Sequence, residues 1–105
     1  MFIHLKNRAL LKVSGSDAET FLQGQLSNDI NKLDAFSVQL NAYCQHQGKI
    51  LALLWVTKNE DIFLLSFPSD LLENIKSRLQ MFVIMSDVVI EDVTKEYIQI
   101  GSIDE

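Results

Sequence analysis

LNAYCQHQGKILALLWVTKNEDIFLLSF, running from Leu40 to Phe67, reads as three extended segments joined by two polar turns. Leu40, Ala42 and Cys44 alternate with Asn41, Tyr43 and Gln45, the period of two that a half-buried strand produces. Gln45-His46-Gln47-Gly48 then reads as a turn, Gly48 supplying the positive φ that such turns demand. Lys49 to Val56 is the return strand. It is apolar on both faces, which predicts a central strand covered on both sides. Thr57-Lys58-Asn59-Glu60-Asp61 is a second polar turn, and Ile62 to Phe67 leaves it as a third strand closed by Pro68.

Upstream, Ala9, Leu11 and Val13 alternate with Leu10 and Lys12, a strand signal that stops at Gly15. Ser16 with Glu19 three residues on has capping-box spacing, and Ala18, Phe21, Leu22 and Leu26 recur on one helical face before Asn28, Asp29 and Asn31 mark the end. Downstream, Asp70 with Glu73 offers a second capping box for a helix carrying Leu71, Leu72, Ile75, Leu79 and Phe82. Val83 to Ile90, rich in β-branched residues, predicts another strand broken near Ser86-Asp87. Tyr97, Ile98 and Ile100 begin one more extended pattern, which meets no turn or capping signal before Glu105 and so reads as part of a longer chain. The order of elements predicts an α+β fold, a mainly antiparallel sheet with two helices packed on it, in one domain over residues 1–105.

The 105 residues are 48% hydrophobic and 22% charged, which places the chain with ordinary globular domains and outside the disordered and fibrous classes. The net charge is -5, and Lys and Arg occur singly from Lys6 to Lys95, so no basic stripe exists to neutralise a phosphate backbone. Direct nucleic-acid binding is not expected. The longest apolar run, Ile50 to Val56, is too short to span a bilayer, and the residues after Met1 lack the apolar core of a secretion signal. Cys44, the single cysteine, excludes an internal disulfide and suits a reducing compartment, so the default location is cytoplasmic.

Two stretches carry side chains with chemistry. In Phe21 to Ile30, Gly24 interrupts an amphipathic helix at a cost of roughly 1 kcal/mol against alanine, and Gln23, Gln25 and Asn28 surround it with amides. Either the backbone is approached closely there, or the helix end frays with its glutamines in water. In Asn41 to Leu51 an aromatic, a thiol, an imidazole and an ammonium group converge on one turn. Cys44 and His46 fall short of a zinc site, since no second ligand pair exists, and a buried cysteine with an exposed turn histidine is the plainer expectation. Nothing nearby would lower the thiol pKa to make a nucleophile. Trp55 and Phe67 fit either a stacking surface for a planar ligand or the core.

These segments, in order and spacing, resemble a known signature. Val13-Ser14-Gly15-Ser16-Asp17-Ala18 gives V-S-G-x-D-A, Phe21 to Asp29 gives F-L-Q-G-Q-L-S-N-D, and Tyr43 to Leu51 gives Y-C-x-x-x-G-K-I-L. Leu79 to Ile90 adds L-x-x-F-V-I-x-S-x-V-x-I. The set is similar to the N-terminal part of YgfZ-type proteins, folate-binding relatives of the glycine-cleavage T protein. The resemblance implies a ring-like, multi-domain α+β protein with a central channel for tetrahydrofolate. It also implies a non-catalytic part in iron-sulfur cluster maintenance and tRNA modification, with iron-sulfur proteins and the chain's own C-terminal domains as partners. On it, Gln23, Gln25, Asn28, Tyr43 and Lys49 supply part of the channel wall. The family's downstream K-G-C-Y-x-G-Q motif is absent from these residues, and Cys44 does not replace it.

Departures from the T proteins bear on the reaction. They resemble this chain around Gly48 to Val56 but carry an acidic pair where Ala52 and Leu53 stand, and a folate-contacting asparagine where Ser66 stands. Neither alanine nor leucine accepts a hydrogen bond or a proton, so aminomethyl transfer loses its acid-base group. Two rival readings remain: a folate-dependent aminomethyltransferase with its carboxylate supplied from elsewhere, and a plain protein interaction module.

Overall fold

The computed structural model describes residues 2–4, 7–34, 37–44, 48–96 and 100–102. The elements follow as β1 (Phe2–His4), β2 (Arg8–Ser14), α1 (Ala18–Gln25), β3 (Val38–Cys44), β4 (Ile50–Asn59), β5 (Ile62–Pro68), α2 (Leu72–Met81), β6 (Val89–Asp92) and β7 (Ile100–Ser102). Short 3-10 turns fall at Ile30–Lys32 and Ser69–Leu71. β2 to β6 form one antiparallel sheet in the order β3-β4-β5-β2-β6, and β1 pairs with β7 in a separate two-stranded ribbon. The α+β architecture expected from the element order is the one observed. β1 was not legible, because three residues are too few to show a period. Of the last extended pattern, Ile100 lies in β7, whereas Tyr97 and Ile98 lie outside the described residues, as does the turn segment Gln45 to Gln47.

Alternation divides the sheet into two faces. Ala9, Leu11 and Val13 of β2, Ala52, Leu54 and Val56 of β4, and Phe63, Leu65 and Phe67 of β5 all point to one side. There they pack with Ala18, Phe21 and Leu22 of α1, with Leu26, Ile30 and Leu33 behind it, and with Ile75 and Leu79 of α2 in a single core cluster. Each such side chain gains about 1.5–3 kcal/mol from leaving water, which is why these short elements hold together.

Neither capping box forms. Asp17 occupies the N-cap of α1 without a side-chain bond. Ser16 instead turns to the far loop, donating from Oγ (2.7 Å) and from its backbone N–H (3.0 Å) to Asp87 Oδ2. In return the Asp87 N–H donates to Asp17 Oδ2 at 2.7 Å, and the Asp17 N–H donates to the Asp87 carbonyl at 3.1 Å. Gly15 makes this approach possible: it sits at φ +113, and a Cβ there would collide with the Asp87 carbonyl. A tertiary clamp has taken the side chain that local spacing assigned to a cap. At α2, Asp70 falls inside the preceding 3-10 turn and Leu71 becomes the N-cap.

Three further expectations are corrected. β4 is central in the sheet but covered on one side only, since Leu53 and Trp55 on its other face are 54% and 46% exposed. It also runs on to Asn59, so the second turn shrinks to Glu60-Asp61, with Glu60 at φ 56 and Asn59 paired to Ile62. Cys44 is exposed, because Asn41 and Tyr43, not Leu40 and Cys44, take the core side of β3. Gly24 has nothing within 4 Å of where a Cβ would stand, so no close backbone approach explains it.

Candidate functional site

The amide-rich signature after α1 seals the outer edge of β3. Edge strands expose unpaired backbone groups that invite another chain, and folded proteins cover or blunt them. Here the chain from Ser27 to Asp29 lies along β3: the Ser27 N–H donates to the Ala42 carbonyl at 3.2 Å, and the Ala42 N–H donates to Ser27 Oγ at 2.8 Å. Asn28 Nδ2 donates to the Leu40 carbonyl at 3.2 Å, and Gln39 Nε2 to the Asp29 carbonyl at 2.8 Å. Gln23 braces this chain from the helix, donating to the Asn28 carbonyl (3.1 Å) and accepting from the Ile30 N–H (2.7 Å). Asn41, 1% exposed, completes the network by accepting from the Asn28 N–H at 2.8 Å and donating to Gln39 Oε1 at 3.0 Å. Buried polar groups must be satisfied, and Asn41 is.

The residues expected to line a channel therefore fall into two groups. Gln23 and Asn28 direct their side chains to backbone partners of this seal, and Tyr43 is buried in the helix-side core, where burial pushes its hydroxyl pKa up against a smaller opposing effect of the Arg78 cation. Gln25 is half-buried near the end of α1, and Lys49 is exposed just ahead of β4. The fold does not bring all five to one surface.

The opposite face of the sheet is bare at its β3–β4 end. Residues directly across an antiparallel pair share a face, so Leu40, Trp55 and Ser66 form one row across β3, β4 and β5, and Ala42 stands opposite Leu53 beside it. Leu40 is 44% exposed, and Val38 and Ile50 extend the apolar surface. Arg8 reaches into the same area, its Nε donating to Ser66 Oγ at 3.2 Å and its Nη2 to the Ser66 carbonyl at 2.9 Å. Burial lowers the Arg8 pKa from its ordinary value. At the other end of this face the sheet is closed: Leu10 is buried beside Val93, whose N–H donates to the Leu10 carbonyl at 3.0 Å. The sequence singled out Trp55 and Ser66, but not Arg8. Period two would have grouped Leu53 with Trp55 once the buried side of β4 was known.

Ala52 and Leu53, taken together in the sequence, point to opposite sides. Ala52 is buried under the helices and Leu53 faces the open surface. Glu91 is a carboxylate of that surface, but it pairs with Lys12 on β2 at 4.0 Å, on the far edge strand of the sheet. Among the described residues no group of three His, Cys, Asp or Glu side chains could hold a metal ion. A cleft of about 430 Å³ opens elsewhere, between Gly15, Glu19, Lys58 and Asp61, and mixes both charge signs without a catalytic arrangement. No helix among the described residues is long and apolar enough to cross a membrane.

No family model matches the chain. Individual proteins do. It is 36% identical over 89 residues to an uncharacterized protein of Haemophilus influenzae, and 37% identical over 92 residues to an aminomethyltransferase of Exiguobacterium sibiricum. It is 34% identical over 89 residues to the tRNA-modifying protein YgfZ of Yersinia pestis. These matches cover 83%, 87% and 85% of this chain but only 31%, 25% and 27% of the respective relatives. The chain thus spans less than a third of the length of these curated relatives. Its fold superposes on the glycine cleavage system aminomethyltransferase T of Bartonella henselae with a TM-score of 0.79 at 18% identity, over 87% of this chain and 26% of that one. In sequence and in fold, the chain belongs to the YgfZ/glycine-cleavage T protein-like family.

Proposed function

We propose that this chain is the folate-binding part of a non-catalytic, YgfZ-type factor that supports iron-sulfur enzymes and tRNA modification, with tetrahydrofolate lying on the open face of the sheet. One observation carries the reading. Leu53 and Ser66, which stand where the resembling T proteins have an acidic residue and a folate-contacting asparagine, share the bare face with Trp55 between them. The surface keeps the means to hold a flat ligand and has lost the carboxylate that would handle its proton.

In this reading Gln23, Asn28 and Tyr43 build the wall from behind, by fixing β3 and its edge. Lys49 and Gln25 offer polar contacts at the margin, Lys49 toward the anionic glutamate tail. The exposed Val38, Leu40 and Ile50 are closed over by the further length that family relatives carry.

Isothermal titration with tetrahydrofolate tests the binding claim: a saturable heat supports it, and no heat up to about 1 mM ligand contradicts it. Ammonia release from glycine in the presence of the glycine-cleavage partner proteins would refute the non-catalytic part.

A further inference from the structure

We infer that Trp55 is the stacking platform of this face and selects ligands bearing a flat heteroaromatic ring with an anionic substituent. The inference rests on the folate reading but is narrower than it. Trp55 and Phe67 were the two aromatic residues that fitted either a ligand surface or the core, and the structure separates them. Phe67 is fully buried, whereas Trp55 lies on the uncovered side of β4 with nearly half of its surface in water. Tryptophan is the side chain with most to gain from burial, so an exposed one on a sheet face is a surface waiting for a flat partner.

Its neighbours define what that partner is. Leu40 directly across and Leu53 two residues away make an apolar floor around the indole. Ser66, directly across on the other side, carries the Arg8 guanidinium. In a chain of net charge -5, this puts a cation beside an aromatic face, with no carboxylate of a described residue in the rows of β3, β4 and β5 around it. A ring needs the floor, and an anionic substituent on that ring needs the cation. A cationic or purely aliphatic ligand satisfies neither requirement together. Ring stacking on an aromatic side chain is tolerant of the ring's identity, since every planar heterocycle presents a π-face.

The test uses the intact chain, its W55A and W55F variants, and two probes, folic acid and pterin-6-carboxylate. Trp55 is the single tryptophan, so its indole N–H gives one assignable resonance. Both probes should shift that resonance. W55A should weaken folic acid binding by about tenfold or more, and W55F, which keeps a ring, by no more than about threefold, with the urea midpoint unchanged in both. If pterin-6-carboxylate binds with these effects while neither folic acid nor tetrahydrofolate binds, the platform stands and the folate reading falls. If W55A binds folic acid as tightly as the parent, or neither probe moves the indole resonance up to about 1 mM, the inference is overturned.

Discussion

The two faces of one five-stranded sheet have opposite fates. On the helix side, Leu54, Val56, Leu65 and Phe67 are sealed under α1 and α2, and even the polar Asn41 has its hydrogen bonds satisfied. On the other, the same β4 shows Leu53 and Trp55 to water. A strand apolar on both sides is therefore not by itself a strand covered on both sides. The second apolar face is the part of the molecule with unfinished business, and it is where ligand or neighbouring structure belongs.

Substitutions can break this contrast. The largest effect is expected on the sealed side: Leu65→Ala, at the fully buried centre of β5, should lower stability by about 2–5 kcal/mol in urea unfolding. A loss below about 1 kcal/mol would mean the helices are not packed as described. Asn41→Ala strands the buried Asn28 N–H and should cost about 1–3 kcal/mol. Leu53→Ser and Leu40→Ser, on the open side, should change stability by less than about 0.5 kcal/mol and yet weaken tetrahydrofolate binding. Stability losses there as large as that of Leu65→Ala would erase the distinction between the faces.

Acid sharpens the contrast through the clamp that holds α1 to the loop before β6. Hydrogen bonds from the Ser16 hydroxyl and then its N–H hold the Asp87 carboxyl below its ordinary value, and bonds from the Thr94 hydroxyl and N–H do the same for Asp92. A carboxylate depressed in the folded state contributes stability above its unfolded pKa and loses it as pH falls through the folded one. The urea midpoint should therefore fall as pH drops below about 4, and D87N should flatten part of that slope. An unaltered slope in D87N would remove Asp87 from the clamp.

Much of the fold was readable because β2, β4 and β5 keep strict alternation and α2 keeps its apolar stripe. What was not readable were the choices made by distant partners. Ser16 carried a capping-box spacing and went to Asp87 instead, and nothing local announces a partner far along the chain. The amides around Gly24 looked like ligand contacts or a frayed end, and prove to seal an edge strand whose position depends on sheet order. Trp55 and Ser66 were singled out separately. Only the β4–β5 register puts them side by side, and only the Arg8 bond adds the cation.

Amide chemical-shift mapping with tetrahydrofolate probes the division of labour most directly. Perturbations should gather on Leu40, Leu53, Trp55 and Ser66, leaving Ile75, Leu79 and the buried positions of α1 unmoved. Shifts centred on α1 and the Ser27–Asp29 seal, with the Trp55 row silent, would show that the bare face is not where the ligand goes.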